Sequence, residues 1–563
     1  MQSVDATHQL RETRVLQILG IGAVVLLFLT LVRNAWLSDD CYITFRTIWN
    51  FWQGLGLRWN VVERVQTYTH PLWLLILLPV YGVTGKAWLS AWMAGIGLTM
   101  VTAVGLFRSA QNRILGLAGL VLLLSSRAFI DFGTSGLENP LSWLLLVLFV
   151  SAFVREDPQG SPLVIGLLSS LLLLNRLDHL FLVMPALSVR FLELDGKGRR
   201  QLLLGGLPLV LWLGFALVYY GSPLPNTFYA KAVTGFPRTV LLAQGLRYFA
   251  DSLVNDFATL PVISAAVLLP LNRRCRCMWP FALGLLLNLA YVLWVGGDFM
   301  SGRFFADPFV LAVAMLVQWR GRTGRVLVGA SAVLVLAMLH PHHPIKVGPD
   351  YYQDRAGRER MLFPAGIVDE KGMAWRRTSL LGTREKREFV ELEHRLAQQS
   401  TAFDGDSLQL QMQVAVGMRG YTCGPDVHIL DRLAITDPLL ARLPAREMPV
   451  WRIGHFFRWV PDGYPESILD GANRIADPQL RSACDDLALV TRGAIWSTER
   501  WRAIFRLNFG LSCRGINRSF YRNPPPDAVQ GRVPSISASS SAARRQSTSS
   551  APHPSRMSSM ARR

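Results

Sequence analysis

The sequence predicts a mainly α-helical protein that crosses a membrane many times and carries a soluble domain after its last span. Three observations predict this fold class. The 563-residue chain is 51% hydrophobic and only 17% charged. Its apolar residues form long uninterrupted runs, and much of its Lys and Arg lies in the short connectors between those runs. Membrane topology therefore explains the formal net charge of +19 better than nucleic-acid binding does.

The first apolar run, residues 15–33, is long enough to span the hydrocarbon core and has no small-residue cleavage site, so we predict a retained first helix. Hydropathy predicts about eleven spans in all. The others cover residues 87–107, 113–130, 140–154, 162–175, 178–194, 201–220, 256–272, 279–296, 304–319 and 324–340. A shorter run at 70–82, which Pro79 interrupts, is predicted to be re-entrant or juxtamembrane.

Connectors rich in Lys and Arg set the orientation, because such connectors stay on the cytoplasmic side. If residues 70–82 stay outside, the N-terminus and the basic connectors all fall inside. These connectors carry Arg108, Arg113, Arg155, Lys197, Arg199, Arg200, Arg273, Arg274, Arg276, Arg320, Arg322 and Arg325. The odd number of spans then places the C-terminal part outside the membrane.

Composition divides the chain into three segments. Residues 1–340 form the predicted transmembrane module, residues 341–523 have the mixed composition of a soluble domain, and residues 524–563 form a disordered tail rich in Ser, Pro and Arg. The six cysteines do not have the spacing of a zinc site, although Cys423, Cys484 and Cys513 leave room for one disulfide bridge in an oxidising compartment.

Unusual polar clusters all fall on the predicted outer side. They are "DDCYITFR" and "NVVERVQTYTHPLW" in the first outer loop, "DFGTSGLENP" (131–140), "NRLDH" (175–179), "YGSPLPNTFYAK" (220–231) and "GGDFMSGRF" (296–304). Each cluster also has a structural explanation. In the first outer loop, Asp39 and Asp40 could form an N-cap, Arg46 could pair with one of these aspartates, and His70 could close a turn. In the later loops, Pro223 and Pro225 could make a rigid loop, and Gly296 and Gly297 could form a C-cap. Arg176 and Asp178 could form an ion pair. Their collection on one face favours a site.

The residue types in these clusters suit transfer of a sugar from a lipid-linked phosphate. Arg176, Lys231 and Arg303 could hold the phosphate, since Arg offers two parallel donors and Lys a point charge. A polyprenyl phosphate would then be the leaving group. A carboxylate of the first loop, Asp39 or Asp40, would take the proton from an acceptor hydroxyl as that hydroxyl attacks the sugar carbon.

A family resemblance rests on these motifs together with "DRLAITDPLLARLP" and "RIGHFFRWVPDGY". The combination resembles the integral-membrane GT-C glycosyltransferases, specifically the mycobacterial terminal arabinofuranosyltransferase and its proteobacterial relatives, one type of which adds arabinofuranose to type IV pilin. The resemblance runs from about residue 36 to 465. It implies a GT-C module with juxtamembrane helices, a polyprenyl-phosphate sugar donor and an accessory extracytoplasmic domain. It also implies a multi-pass protein of the bacterial inner membrane whose active site faces the periplasm.

The resemblance further implies the site residues. It gives the role of catalytic carboxylate to Asp39 or Asp40, with a slight preference for Asp39. The residues predicted to bind donor or acceptor are Arg46, His70, Glu138, Arg176, Asp178, His179, Asn226, Lys231, Asp298, Arg303 and His455. Two departures from the family pattern, Cys41 after the two aspartates and the loose "NRLDH" loop, bear more on the substrate than on the reaction type.

Several alternatives stay open at the level of the sequence. The carboxylate acts as a general base if the linkage inverts, whereas retention would require a nucleophile or a front-face route. We expect no obligatory metal, although adjacent carboxylates could hold Ca²⁺ or Mg²⁺. Other functions to weigh are transfer of another lipid-linked sugar, transfer to lipid A or to protein, and transport. A transporter or flippase would show paired broken helices and charges near the bilayer midplane.

Overall fold

The computed structural model describes residues 2–154, 162–232, 234–347, 366–381, 408–449, 451–526 and 528–531. Within these residues the chain is mainly helical, as the sequence predicts. The helices of the first part are α1 (Gln2–Arg33), α2 (Asp39–Trp52), α3 (Pro71–Thr84), α4 (Ala87–Ser109), α5 (Arg113–Ser125), α6 (Arg127–Phe132), α7 (Asn139–Val154), α8 (Pro162–Asn175), α9 (Leu180–Glu193), α10 (Gly196–Gly205), α11 (Leu207–Tyr220), α12 (Asn226–Ala232), α13 (Arg238–Asn255), α14 (Thr259–Leu268), α15 (Trp279–Val295), α16 (Arg303–Leu316), α17 (Thr323–Met338) and α18 (Pro344–Val347).

The later part of the chain is less regular. Its helices are α19 (Glu370–Thr378), α20 (Met418–Thr422), α21 (Tyr464–Asp470), α22 (Pro478–Arg492), α23 (Thr498–Asn508) and α24 (Arg518–Arg522). Two strands, β1 (Gln409–Gln413) and β2 (Val427–Asp431), pair in parallel in a two-stranded sheet. Short 3-10 segments lie at Leu177–His179, Leu269–Leu271, Arg273–Met278 and Leu440–Arg442.

Long apolar helices support a membrane location. Among the described residues, three helical stretches are long and apolar enough to span a bilayer, namely Arg14–Arg33, Ala87–Ser109 and Arg273–Val295. The number rises to five if two bent pairs each count as one span, α10 with α11 (43°) and α13 with the helical residues 259–271 (107°). The sequence-based count of about eleven spans stays a prediction.

Two predicted elements have different boundaries in the structure. The predicted span at 113–130 is broken, because the Ser126 hydroxyl accepts a hydrogen bond from Phe129 N–H and thereby starts α6 as a new helix. The run at 70–82 is a continuous helix, α3, which contains Pro79. At 14 residues this helix is shorter than a usual span, and its re-entrant or juxtamembrane position stays a prediction.

The main hydrophobic core joins α1 to α9 with α14 to α16, and it also includes Ile367 and Trp375. Residues 366–381 thus pack with the helices of the first part, although the sequence assigns them to the soluble domain. A buried ion network holds this segment in place: Lys371 Nζ lies 2.6 Å from an Asp131 carboxylate oxygen and 2.8 Å from Asn34 Oδ1. Arg127 pairs with both Asp131 and Asp369.

A second hydrophobic core forms in the C-terminal part, here residues 408–531. It contains Leu410 and Leu430 of the two strands and apolar residues of α21 to α23. Ala230 of α12 also belongs to it, so this core is attached to the helical module. All six cysteines are free thiols, including Cys423, Cys484 and Cys513. Most of the predicted tail at 524–563 lies outside the described residues.

The ion network predicts that Asp131→Asn destabilises the protein strongly. This change removes the negative charge that lies 2.6 Å from the buried Lys371 Nζ, and loss of one partner from a buried pair costs about 3–5 kcal/mol. Thermal unfolding of the purified protein in detergent measures the effect. The control Glu193→Gln breaks an exposed pair with Arg190 and should cost less than about 1 kcal/mol. Equal melting temperatures for the two variants would contradict the role given to the network.

Candidate active site

The two adjacent carboxylates lie at the start of α2, but neither one caps it. The cap is Ser38, whose hydroxyl accepts a hydrogen bond from Asp40 N–H at 3.3 Å. Asp39 and Asp40 occupy the first helical turn, where negative charge is favourable. The N-cap explanation of the two aspartates is therefore wrong, and their side chains are available for other contacts.

Asp39 is bound by backbone groups that lie far away in the sequence. Its carboxylate accepts hydrogen bonds from Met418 N–H (2.8 Å) and Gly417 N–H (3.0 Å) at the start of α20. Gly417 is needed for this approach, since a Cβ there would lie 1.9 Å from the Asp39 carbonyl oxygen. Burial raises the pKa of Asp39 and the charge of Asp40 adds to the rise, while the two N–H groups oppose it.

Asp40 is the less constrained of the pair. In the described part of the chain, no group forms a hydrogen bond or an ion pair with its carboxylate. Its charge acts on His70, Arg303 and His455, which come from three other segments. In the first helical turn of α2, Asp39 is therefore bound by the C-terminal part, while the charge of Asp40 acts on the other site residues.

Glu138 is the centre of a charged cluster, here defined as His70, Glu138, Arg176, Asp298 and Arg303. Its carboxylate accepts hydrogen bonds from Arg176 Nη1 (2.9 Å) and Arg303 Nη2 (3.1 Å), and it lies 3.4 Å from His70 Nδ1. Burial alone would raise the pKa of Glu138, but Arg303, His70 and Arg176 outweigh burial and hold this pKa well below its usual range. Glu138 is therefore ionised and compensates the two guanidinium charges.

His70 connects this cluster to α2. Its Nε2 lies 2.8 Å from Thr44 Oγ1, so the ring bridges α2 and Glu138 instead of capping α3. Burial lowers the pKa of His70, and the nearby Arg303 and Arg176 lower it further against the opposing charge of Glu138. The imidazole therefore gives up its proton more readily than a free histidine does.

The "NRLDH" loop is held by ion pairs. Arg176 forms a bidentate pair with Asp178, with distances of 3.0 and 2.6 Å, which confirms the ion-pair explanation for these two residues. His179 Nε2 lies 3.0 Å from an Asp307 carboxylate oxygen, and Asp307 also accepts from Asn139 and Trp143. The sequence analysis missed Asp307, because it lies inside the apolar run of α16.

The "GGDFMSGRF" loop brings Asp298 to the cluster. Gly296 and Gly297 have φ of 88° and 76°, and Gly296 is the C-cap of α15, as the structural alternative predicts. Asp298 is 3% exposed and lies 3.7 Å from Arg303 Nη1. Its Oδ2 is buried and has no hydrogen-bond donor among the described residues.

His455 and Lys231 lie beside the loop that carries Asp298. The His455 ring packs edge-on against Phe299, next to Asp298, with centroids 4.2 Å apart. Lys231 Nζ approaches Gly454, where an added Cβ would lie 3.6 Å from it. Lys231 and Arg452 both lower the pKa of His455, which burial already lowers and Asp40 raises. In the described part of the chain neither Lys231 nor Arg452 has an ion-pair partner.

Two predicted binding residues have structural roles instead. Arg46 donates to the backbone carbonyls of Trp59 (2.8 Å), Val427 (2.7 Å) and Gly420, so it joins α2 to the C-terminal part and does not pair with Asp39 or Asp40.

Asn226 of α12 likewise donates to the carbonyls of Ala434, Ile435 and Asp437, at 3.0–3.1 Å. Both side chains donate to backbone carbonyls of the C-terminal part, a role that a sequence cannot distinguish from ligand binding.

Glu370 is a site residue that the sequence analysis missed. It begins α19. Burial raises the pKa of Glu370 to about 8, and the charges of Asp40, Asp39 and Asp298 contribute to the rise. No sequence motif marks it, since it lies far from the other acidic residues along the chain. Across the described residues, no group of three or more His, Cys, Asp or Glu side chains has the arrangement of a metal site.

Fold and site together define a helical membrane protein with a carboxylate-rich site that the helical module and the C-terminal part share. Comparison with known proteins then gives its class. The chain is 24% identical over 521 residues to the terminal beta-(1->2)-arabinofuranosyltransferase of Mycobacterium tuberculosis, covering 76% of this chain and 82% of that protein. It is 29% identical over 321 residues to the protein of the same name from Corynebacterium glutamicum, covering 48% and 46%.

These relatives confirm the resemblance that the motifs indicate, and the protein is a membrane glycosyltransferase. No family model matches the chain. Two crystal structures of ArnT from Cupriavidus metallidurans are distantly similar. The apo state has a TM-score of 0.47 at 14% identity, over 76% of this chain and 88% of that one. The undecaprenyl phosphate complex has a TM-score of 0.42 at 15% identity, over 75% and 87%.

The contacts of Arg46 predict that Arg46→Lys lowers stability without weakening substrate binding. A lysine cannot reach three carbonyls in the fork geometry of arginine, so at least one charged hydrogen bond is lost, at about 1.5–3 kcal/mol each. We expect a lower melting temperature and an unchanged KM for the glycosyl donor. Arg58→Lys, which affects one carbonyl contact at a half-buried position, is the matched control. A raised KM for the donor at an unchanged melting temperature would show that Arg46 binds the substrate and has no structural role.

Proposed function

We propose that this enzyme transfers D-arabinofuranose from a polyprenyl-phosphate donor to an acceptor outside the cytoplasm, a type IV pilin or a cell-envelope glycan. The observation that carries the proposal is Asp40, whose carboxylate forms no hydrogen bond or ion pair among the described residues and whose charge acts on His70 and Arg303 of the charged cluster. The curated relatives, whose names specify arabinofuranosyl transfer, support the choice of sugar. The proposed location is the bacterial inner membrane, with the site on its periplasmic side.

In this proposal Asp40 is the general base and Asp39 is a positioning residue. Asp40 takes the proton of the acceptor hydroxyl while the hydroxyl oxygen forms a bond to the anomeric carbon. The bond from that carbon to the phosphate oxygen breaks, and the polyprenyl phosphate leaves with the electron pair. A single displacement of this kind inverts the linkage. Asp39 is less suited to the role of base, because two backbone N–H groups already occupy its oxygens.

The positive charge for the departing phosphate is assigned to Lys231 and Arg452. Arg176 and Arg303 were candidates in the sequence, but Glu138, Asp178 and Asp298 already neutralise much of their charge. Exposed Lys231 beside the His455 turn keeps its charge available for a ligand. Because these side chains supply the charge, we propose that no divalent cation is required.

The two carboxylates are expected to differ sharply on mutation. Asp40→Asn removes the base and should lower kcat by roughly 10²–10⁴-fold, whereas Asp39→Asn should lower stability and reduce kcat less than about tenfold. The measurement is transfer of labelled arabinose from polyprenyl-phosphoryl-arabinofuranose to envelope acceptors in membranes with matched expression. Full activity of Asp40→Asn would refute the assignment of Asp40 as the general base. If Asp39→Asn were inactive at the same time, Asp39 would be the base and Asp40 the positioning residue.

Lys231→Gln should weaken binding of the glycosyl donor and leave binding of the acceptor unchanged. Loss of one charged contact to phosphate is expected to raise the KM for the donor about tenfold, which corresponds to about 1.4 kcal/mol. Lys197→Gln, also at an exposed lysine, is the matched control and should leave KM unchanged. Treatment with EDTA should not lower transfer by the wild type. A loss of transfer in EDTA that Mg²⁺ or Ca²⁺ restores would show that a metal supplies the charge.

A further inference from the structure

A cavity between α1, α4 and the start of α5 lies apart from the candidate active site. We propose that this cavity binds an anionic glycerophospholipid of the surrounding membrane, with an acyl chain on its apolar wall and the phosphate at two arginines. Gln17, which lines the cavity, lies about 24 Å from Arg33 along the axis of α1, and Asp39 follows beyond Arg33. The cavity is therefore a second site, and the inference does not depend on the proposed function.

The two main walls of the cavity belong to helices that are long enough to span a bilayer, Arg14–Arg33 and Ala87–Ser109. The volume of the cavity is about 760 Å³. Ile21 and Val25 of its lining are exposed, at 65% and 50%, so the cavity opens on the outer surface of these two helices. In a bilayer this surface contacts the acyl chains of lipids. The apolar wall consists of Ile21, Val24 and Val25 of α1 and Val104 and Phe107 of α4.

Phe107 keeps the walls apart. A Cβ on Gly20 of α1 would lie 2.9 Å from its ring, and a Cβ on Gly116 of α5 would lie 2.8 Å from it. The ring is thus packed between α1 and α5, and close packing of this kind resists movement. The cavity is therefore part of the fold and does not need a ligand to hold it open.

One end of the cavity is positively charged. Arg108, in the last turn of α4, is exposed, and Arg113, which begins α5, is half-buried. Both line the cavity, and no Asp or Glu lines it within the described part of the chain. Arg108 has no hydrogen-bond or ion-pair partner among the described residues. Arg14, one turn before Gln17 on the same face of α1, adds a further positive charge at this end.

Hydrogen bonds to the end of α16 hold the connector that carries Arg108 and Arg113. Gln318 Nε2 donates to the Ser109 carbonyl oxygen at 3.0 Å. Gln111 Nε2 donates to Gln318 Oε1 at 3.0 Å, and Gln111 N–H donates to the carbonyl oxygen of Val317 at 3.1 Å. The fold thus positions the two arginines before any ligand binds, which lowers the cost of ordering them around an anion.

Charge and apolar surface together select the class of ligand. A free phosphate ion would bind the arginines and leave the apolar wall empty, and an uncharged lipid would do the reverse. An anionic glycerophospholipid satisfies both, because arginine binds phosphate oxygens with parallel donors and basic residues at a membrane surface attract anionic lipids. A zwitterionic phospholipid carries an ammonium group that offsets its phosphate. The positive-inside pattern predicts that this end lies in the cytoplasmic leaflet.

The first test measures lipid binding by native mass spectrometry of the delipidated protein in detergent. The wild type should bind phosphatidylglycerol about fivefold or more tightly than phosphatidylethanolamine with the same acyl chains. The double change Arg108→Gln and Arg113→Gln should raise the Kd for phosphatidylglycerol roughly tenfold or more, because two charged contacts are lost. The control Arg274→Gln and Arg276→Gln alters exposed arginines that do not line the cavity, and should change Kd less than about twofold.

The second test fills the apolar part of the cavity without any change of charge. Val104→Trp places an indole where the acyl chain would lie, and should raise the Kd for phosphatidylglycerol about tenfold through the lost burial of methylene groups. Val101→Trp is the matched control, since Val101 is an exposed residue of the same helix that does not line the cavity. Melting temperatures close to that of the wild type would show that the variants are folded.

Several results would overturn the inference. These are an equal Kd for the two lipids in the wild type, or a Kd for phosphatidylglycerol that neither the arginine changes nor Val104→Trp raises. A dimer that Val104→Trp disrupts would show that a second copy of this chain occupies the cavity. Tighter binding of a polyprenyl phosphate that the same variants abolish would assign the cavity to the donor. None of these measurements uses sugar transfer, so a failure here leaves the proposed function unaffected.

Discussion

The structure of the site depends on the compensation of buried charge at Glu138. Two guanidinium groups, Arg176 and Arg303, meet this carboxylate in an environment where an unpaired charge is highly unfavourable. The three residues come from three different loops, and His70 adds a fourth segment. The ion pairs therefore connect the segments before α3 and α7, after α8 and at the start of α16, and Arg303 also pairs with Asp298.

Completion of the site requires the C-terminal part of the chain. The backbone N–H groups of Gly417 and Met418 hold Asp39, while the turn that contains His455 brings Lys231 and Arg452 to the side of Asp298. Arg46 and Asn226 stabilise the same junction through backbone carbonyls. The helical module and the C-terminal part therefore both contribute residues to this site. A rearrangement of the junction would remove the two hydrogen bonds that hold the Asp39 carboxylate.

Much of the fold was predictable because apolar runs identify helices directly, and α4, α7 and α15 lie close to their predicted ranges. The predicted helix boundaries were wrong where a single side chain determines where a helix begins. Ser126 is such a residue, because its hydroxyl starts a new helix inside a predicted span. The residues of the charged cluster lie in the polar outer-loop motifs, and the family resemblance that those motifs carry implied them as site residues. Arg46 and Asn226 were given the wrong environment, since a polar side chain that bonds to backbone has the same sequence signature as one that binds a ligand.

The sequence by itself determined that this protein is helical, apolar and rich in polar outer-loop clusters, because composition and hydropathy are local properties. It also placed two carboxylates at the start of α2. Only the tertiary structure decided that Asp39 is bound while Asp40 is not, because the N–H groups that separate them belong to Gly417 and Met418, more than three hundred residues later. The same holds for Glu370, whose chain neighbours Asp369 and Lys371 are held against the helical module by ion pairs with Arg127 and Asp131.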